Sequence, residues 1–375
     1  MKLFEYQAKE LFASHGIPVP NSALIHSLDQ LDGALAQTGL PCVIKCQVLQ
    51  GGRGKAGLVK MARNKQEARR LAEDYFAQVP RLKAILVEEA VDYRQELYLG
   101  LSMDAKSGQA ILMASGEGGV DIEEVSRSAP EKIHTLSIDL LKGLQPFQIN
   151  DLVYSLGLEK AAFRPVSAVC ASLYQAFCRM DAELAEINPL FILKDRQAVA
   201  GDGKLNIDDN SAFRHPEYRQ GPEHFDSPTA YEAAQEGIPY IEFGGDISLM
   251  CAGAGLTNTV FDLVNFEGGT VANYLEYGGP NYTKAGVAMR LCLANNPKVI
   301  LIVTFGTIAR ADVMAAGIVQ AIQELKPACP IVACLRGTGE ERVEEIFAPV
   351  GLKQYTDTET AVRKAVGIAA QGDRT

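Results

Sequence analysis

An α/β protein of two domains, the second a doubly wound parallel sheet, is the fold class this sequence predicts. Three observations carry it. The chain has 375 residues, more than a single hydrophobic core usually organises. Compact apolar runs rich in β-branched residues alternate with segments of helical period in both halves. Between the halves, from His215 to Gly237, "HPEYRQGPEHFDSPTAYEAAQEG" turns polar and rich in Pro, Glu and Gln, as linkers with few apolar anchors do. The expected domains are therefore 1–237 and 238–375.

The opening "FEYQAKELFASHGIPVP" has Phe4, Ala8, Leu11 and Phe12 at helical spacing. Gly16 then offers a left-handed stop, and Pro18 lies just beyond it. "PCVIKCQV" and "KAILVEEAV" read as strands, with the helical "KQEARRLAEDYFAQV" between them. Beyond the linker the pattern becomes regular. "ISLMCAG" precedes "LTNTVFDLVNF", "TVANYLEYGG" precedes "KAGVAMRLCLAN", "KVILIVTFG" precedes "ADVMAAGIVQAIQEL", and "PIVACLRG" precedes a last helix. Each pair is a buried strand, a glycine-bearing turn and a helix, which makes a parallel sheet covered on both faces. Ligands of such sheets sit at the strand carboxyl ends, here the loops around Gly253, Gly278, Gly306 and Gly337.

Composition excludes several classes. With 47% hydrophobic and 22% charged residues the chain is neither disordered nor fibrous. No run approaches the ~20 apolar residues that cross a bilayer, and Glu5, Lys9 and Glu10 occupy the place of a signal peptide's apolar segment. The cytoplasm is the expected compartment. The eight cysteines are scattered, mostly in apolar runs, without zinc spacing. A formal charge of −10 argues against nucleic acid and anionic membranes as partners. Local basic loops then serve small anions.

One such loop follows the first predicted strand. In "KCQVLQGGRGKAG" Gly51, Gly52, Gly54 and Gly57 free backbone amides to approach phosphate oxygens, and Arg53 and Lys55 add charge. It is not a Walker A loop, because Ala56 follows Lys55 and Leu49 stands where the first glycine belongs. Lys45 lies on an apolar strand, where an ammonium is costly unless an anion meets it. Glu88 and Glu96 in "VEEAVDYRQELYLG" are either solvated charges or receivers of a ribose, an adenine amine or a cation. Asn188 in "AEINPL" and Asp202 in "VAGDGKL" are either Asx turns or hard oxygen ligands for Mg²⁺, which shares its remaining positions with water and phosphate. "CAGAGLTN" is a partial dinucleotide fingerprint with Asn258 in the third glycine position. Its turn can still present amides to an anion at a helix N-terminus. All five histidines lie at or before His224, so a histidine needed at the second domain must come from another chain.

Over nearly its full length the chain resembles the β subunit of succinyl-CoA synthetase and related ADP-forming acyl-CoA synthetases, including malate–CoA ligase and the corresponding part of ATP-citrate lyase. The matching segments are "EYQAKELFASHGIPVP", "VIKCQVLQGGRGKAG", "ILVEEAVDYRQELYLG", "SGEGGVDIEEV", "LAEINPL", "GDGKLNIDDNSAFR" and the "GAG" at Gly253. The resemblance implies an ATP-grasp fold followed by a flavodoxin-like ligase domain. It also implies a partner α subunit that binds CoA and carries a histidine that becomes phosphorylated, in an αβ or (αβ)₂ assembly. The reaction it implies joins a small carboxylic acid to CoA through an acyl phosphate and that phosphohistidine, at the expense of ATP or GTP. Lys45, Arg53, Lys55 and the Gly51, Gly52 and Gly54 backbone would then hold the nucleotide, and Glu88 and Glu96 would line its pocket. Asn188 and Asp202 would hold Mg²⁺. Glu186 would face the phosphohistidine, with Arg53 beside it as the second catalytic group.

The departures from the succinate pattern gather at the strand ends of the second domain. Succinate-binding members carry an Asn just before "GAG", a Gly-Gly-Ile loop and a Leu-Glu-Gly strand end. This chain has Ala252, then Thr307 after Gly306, and Arg336. Together with Gly253 these are the expected acid-binding residues. They imply an acid other than plain succinate, one with an extra anionic or hydroxyl group such as citrate, malate or a sulfonated acid.

Overall fold

The computed structural model of the chain describes residues 1–306 and 308–371. They divide into two compact units, one from Met1 to His224 and one beginning at Phe225. Among the described residues no helix is long and apolar enough to cross a membrane.

The first unit holds two antiparallel sheets. After α1 (Glu5–Ser14), the smaller sheet is built from β1 (Ser22–Ile25), β2 (Cys42–Cys46), β3 (Val59–Ala62) and β4 (Ile85–Glu89), in the order β1-β4-β2-β3. α2 (Leu31–Thr38) and α3 (Lys65–Gln78) cover it, packing Leu31, Leu71 and Tyr75 against Ile44 and Val87. α3 starts where Asn64 takes the Glu67 amide, an N-cap that satisfies one of the unpaired donors of the first turn.

The larger sheet uses β5 (Tyr93–Asp104), β6 (Gln109–Ser115), β7 (Ile133–Ile138), β8 (Ala182–Leu193) and β10 (Lys204–Ile207), ordered β10-β8-β5-β6-β7, with β9 (Ala198–Ala200) on β8. α4 (Ile122–Ser128) follows β6. α5 (Pro146–Ser155) and α6 (Lys160–Arg179) precede β8, and α6 presents Val166, Cys170 and Leu173 to the sheet's Leu99, Leu112 and Ile187. α1 adds Ala8, Leu11 and Phe12 to this core. Its buried side also carries Glu5 and Lys9, which share a helical face with Ala8 and Phe12 through the i, i+4 relation.

The second unit opens with α7 (Pro228–Gln235) and the edge strand β11 (Tyr240–Glu242). Strand and helix then alternate as β12 (Ile247–Ala252), α8 (Ala254–Phe266), β13 (Val271–Leu275), α9 (Ala285–Leu293), β14 (Val299–Gly306), α10 (Ala311–Leu325), β15 (Ile331–Gly337), α11 (Val343–Phe347) and α12 (Thr358–Gln371). The sheet order is β11-β13-β12-β14-β15, parallel except for β11. Taken from β12 onward this is the flavodoxin-like order 2-1-3-4, and a parallel bridge from Ala333 to Gln354 marks a rudimentary fifth position. All six residues of β12 are buried, because α7, α9, α10 and α11 cover one face and α8 and α12 the other. That is why its strands read as unbroken apolar runs.

The carboxyl ends of β14 and β15 touch through two glycines. Gly306 and Gly337 are register partners, and a Cβ on Gly337 would fall 1.8 Å from the Gly306 carbonyl oxygen. Gly337 also has φ +111°, a conformation that only glycine adopts without strain. Gly337→Ala should therefore destabilise the second unit by at least about 2 kcal/mol. Limited proteolysis should then degrade the chain beyond Phe225 while a fragment ending near His224 stays protected. Equal protection of both units in the variant would refute the glycine requirement.

Candidate active site

A cavity of about 650 Å³ lies within the first unit. Its walls include Lys45 of β2, Glu88 of β4, Glu186 and Asn188 of β8, Asp202 of the turn between β9 and β10, and the loop from Gly51 to Lys55. The loop is coiled by bonds from the Ala56 amide to the Gly52 carbonyl, 3.0 Å, and from the Leu58 amide to the Arg53 carbonyl, 2.9 Å. Gly52 takes φ +73° there. A Cβ on Gly51, Gly52 or Gly54 would meet no protein atom within 4 Å, so packing does not demand these glycines. They leave backbone open to the cavity.

In that wall, with Lys9 behind it, three cations meet three carboxylates. The Lys45 ammonium donates to Glu5 at 2.8 Å and to the Gly201 carbonyl at 2.7 Å, and lies 2.8 Å from Glu88. Lys9 pairs with the same Glu88 and reaches the same Gly201 carbonyl at 3.1 Å. Arg53 bonds Glu5 and places one guanidinium nitrogen 2.7 and 2.8 Å from the two oxygens of Asp202. Gly201 fits its place because a Cβ there would come within 2.2 Å of the Phe191 ring.

Burial works against every charge in this group, and the neighbours decide the outcome. Burial alone would raise the Glu5 carboxyl, but Lys45, Arg53 and Lys9 hold it well below the ordinary 4.5. Burial would lower Lys45, yet Glu5, Glu88 and Asp202 push it above the usual lysine range. Desolvation and then the nearby Glu5 raise the Asp202 carboxyl against the pull of Arg53 and Lys45. Glu186 is also raised, first by burial and then by Asp202, with Lys204 opposing. It can therefore hold a proton at a higher pH than an ordinary glutamate.

The remaining expected residues fall as follows. Asn188 accepts from the Gly119 amide at 2.8 Å and donates to the Val120 carbonyl at 2.9 Å. Lys55 is exposed and pairs with Asp121 at 3.0 Å, at the start of α4. Glu96 is not among the cavity's lining residues; its carboxylate lies behind Gly119, where a Cβ would come within 2.2 Å. Glu5, Lys9 and Gln47 were not singled out from the sequence. The available signal was two opposite charges spaced i, i+4 on the apolar face of the first predicted helix.

Asn188 and Asp202 both line the cavity, and their oxygens are of the hard kind that Mg²⁺ takes, with Asn188 Oδ1 accepting from the Gly119 amide and both Asp202 oxygens bonded to Arg53. Among the described residues no group of three or more His, Cys, Asp or Glu could hold a metal. The protein's share would thus be one carboxylate and one amide, with water and phosphate completing the shell.

In the second unit Ala252 ends β12, and Gly253, with φ +102°, precedes α8. The amides of Gly253 and Gly278 both donate to Glu276 Oε1, at 2.7 and 2.8 Å. Gly306 ends β14; Thr307 lies outside the described residues. Arg336 on β15 donates through Nε to Glu340 at 2.9 Å and also bonds the Thr356 carbonyl. Nearby, Arg310 and Arg342 both reach Asp312, at 2.9 and 3.3 Å. The sequence reading assigned Arg336 to the acid and missed Glu276, Glu340 and the two arginines on Asp312.

Two antiparallel sheets around a cleft of buried cations, joined to a flavodoxin-like parallel sheet, define a nucleotide-dependent ligase chain of the ATP-grasp class. The sequence models for an ATP-grasp domain and for a CoA-ligase match residues 2–192 and 250–367. The chain belongs to the family of ADP-forming acid–CoA ligases, on the side of their β-type subunits. It is 53% identical over 370 residues to the ADP-forming sulfoacetate-CoA ligase subunit SauC of Bilophila wadsworthia, covering 99% of each chain. To the succinate–CoA ligase (ADP-forming) subunit beta of Herpetosiphon aurantiacus it is 39% identical, covering 99% of this chain and 100% of the other. The fold is shared with ATP citrate lyase from Methanothrix soehngenii, solved with citrate and coenzyme A, at a TM-score of 0.76, 20% identity and 99% coverage of both chains. Family membership makes the chain part of an ADP-forming CoA ligase, and implies ATP as its nucleotide and a partner subunit.

Glu5 is the anion shared by Lys45 and Arg53, and Glu5→Gln should cost the first unit about 3 kcal/mol at pH 7, read by urea denaturation. Because its folded pKa lies below the ordinary 4.5, its stabilisation is complete above that value and fades as the pH falls beneath it. The gap between wild type and variant should narrow there. A gap that stays constant down to pH 3 would mean that the contribution is not ionic.

Proposed function

We propose that the chain is the β-type subunit of a sulfoacetate–CoA ligase, working with an α subunit that binds CoA and supplies the phosphorylated histidine. The observation that carries the choice of acid is the 53% identity to a sulfoacetate-CoA ligase subunit over 99% of both chains. The residues that depart from the succinate pattern agree with it. Ala252 removes a planar amide donor from the strand-end face, and Arg336 replaces an acidic position with a cation. A sulfonate is tetrahedral and anionic at every physiological pH, so it gains from the added room and charge.

The first-unit cavity is the nucleotide site of this reading. Lys45 and Arg53 neutralise phosphate oxygens, the Gly51, Gly52 and Gly54 amides and Lys55 follow the phosphate chain, and Glu88 completes the pocket, with Glu96 set back behind Gly119. Asn188 and Asp202 would hold Mg²⁺, which would supply charge neutralisation to the phosphates. Glu186 orients the partner's histidine as it receives the terminal phosphoryl group and ADP leaves. The histidine passes that group to the acid's carboxylate, and the CoA thiol displaces phosphate from the acyl phosphate. Ala252, Gly253, Gly306 and Arg336 are the residues assigned to the acid; Thr307, assigned with them from the sequence, lies outside the described residues. Positioning and charge supply most of the catalysis in such transfers.

The test is CoA-dependent ADP release by the enzyme reconstituted with its partner, across sulfoacetate, succinate, malate and citrate. Sulfoacetate should exceed succinate in kcat/KM by about 100-fold or more. Succinate as the preferred acid would overturn the choice. Arg336→Gln should lower kcat/KM for sulfoacetate by about 10- to 100-fold and leave ADP affinity unchanged. Histidine phosphorylation should decline on the acid side with a midpoint above the ordinary glutamate value, because Glu186 is raised. The same limb persisting in Glu186→Gln would remove Glu186 from the step.

A further inference from the structure

We propose that Lys9 is a positioning residue of the nucleotide cleft: it is the standby cation that keeps Glu5, Glu88 and the Gly201 carbonyl satisfied while Lys45 turns to a phosphate. This rests on reading the first-unit cavity as the nucleotide site. The observation behind it is a duplication. The Lys45 ammonium, with three protons, donates to Glu5 at 2.8 Å and to the Gly201 carbonyl at 2.7 Å and forms an ion pair with Glu88 at 2.8 Å. Three resident oxygens surround it, so a move toward a phosphate loosens at least one of these contacts. Lys9 serves the same three groups, bonded to Glu88, 3.1 Å from the Gly201 carbonyl and 3.9 Å from Glu5.

The two lysines differ in access. Lys45 lies on the cavity wall and Lys9 does not; Lys9 is only 2% exposed. Lys9 therefore acts through Lys45 and never on the ligand. Without it, each movement of Lys45 toward a phosphate would strand Glu88 as a buried, unpaired carboxylate, which is strongly unfavourable. Burial and then repulsion from Lys45 weaken the hold of Lys9 on its proton. As Lys45 moves off, that repulsion falls and Lys9 becomes the better partner for Glu88. The duplication thus lowers the cost of the exchange.

The test uses the complete enzyme with its partner subunit, with Mg-ADP binding followed by calorimetry and ATP kinetics run in parallel. Lys9→Gln should weaken Mg-ADP binding and raise the KM for ATP by about 10- to 100-fold, with kcat changing by less than about threefold. Lys9→Arg should stay near wild type. Wild-type affinity in Lys9→Gln would overturn the proposal. So would a Lys9→Arg variant that binds Mg-ADP as weakly as Lys9→Gln, since a cation at this position is what the proposal requires. Failure of the wild-type enzyme to bind Mg-ADP would instead refute the nucleotide reading itself.

Discussion

The architecture of the first unit depends on one electrostatic condition: Lys9, Lys45, Glu5 and Glu88 are buried together, with the half-buried Arg53–Asp202 pair at their margin. Taking any one of these ions out of water alone costs several kcal/mol, and only close, well-bonded opposite charges offset it. The six groups come from α1, β2, the glycine loop, β4 and the turn after β9. None of these elements can move away without stranding a charge on another. The helix at the chain's start is thereby tied to both sheets of the unit, and the cavity wall inherits the rigidity of that tie. Fold and site are here the same constraint, because the side chains that would meet an anion are those that hold the secondary structure in place.

The second unit solves a different problem with the same chemistry. Its parallel strands end in glycines and loops whose amides and arginines need partners, and the chain provides them internally. Glu276 takes the Gly253 and Gly278 amides, Glu340 takes Arg336 and the Gly337 amide, and Asp312 takes Arg310 and Arg342. On the proposed reading, acid recognition at this face would be a competition with resident carboxylates. An incoming carboxylate or sulfonate gains only what exceeds the bonds it displaces. A change of one resident partner can therefore alter selectivity without altering any residue that touches the acid.

How much of this was legible follows from how local each signal is. The second unit's alternation of strands and helices was readable because its parallel strands are mostly buried and each strand-to-helix turn carries a glycine, properties that live within ten or so residues. Lys45 was readable as a buried cation for the same reason, since a lone charge interrupts an apolar strand. Glu5 and Lys9 were not. On an amphipathic helix two charges near the apolar face read as its polar margin, and their meaning depends on partners 40 and 79 positions away in the chain. Arg336 marked a change in the strand-end chemistry, but its pairing with Glu340 depends on how the chain turns after β15. Spacing alone cannot give that turn.

Neutrality of the buried set also governs how the cleft can respond to ligands. A pocket lined by unopposed cations would bind any polyanion, and would gain most from the ligand with the most charge. Here each cation already has a carboxylate, so on the nucleotide reading proposed above a polyphosphate would be held only by the difference between two sets of bonds made by the same ammonium and guanidinium groups. Such a difference is sensitive to geometry, because a misplaced oxygen loses to the resident Glu5 or Glu88. It is insensitive to bulk charge, because the resident carboxylates repel anions that do not displace them. Selectivity among anions then resides in where the glycine loop lets the phosphates lie, and the open space above Gly51, Gly52 and Gly54 becomes as decisive as the charges beneath it.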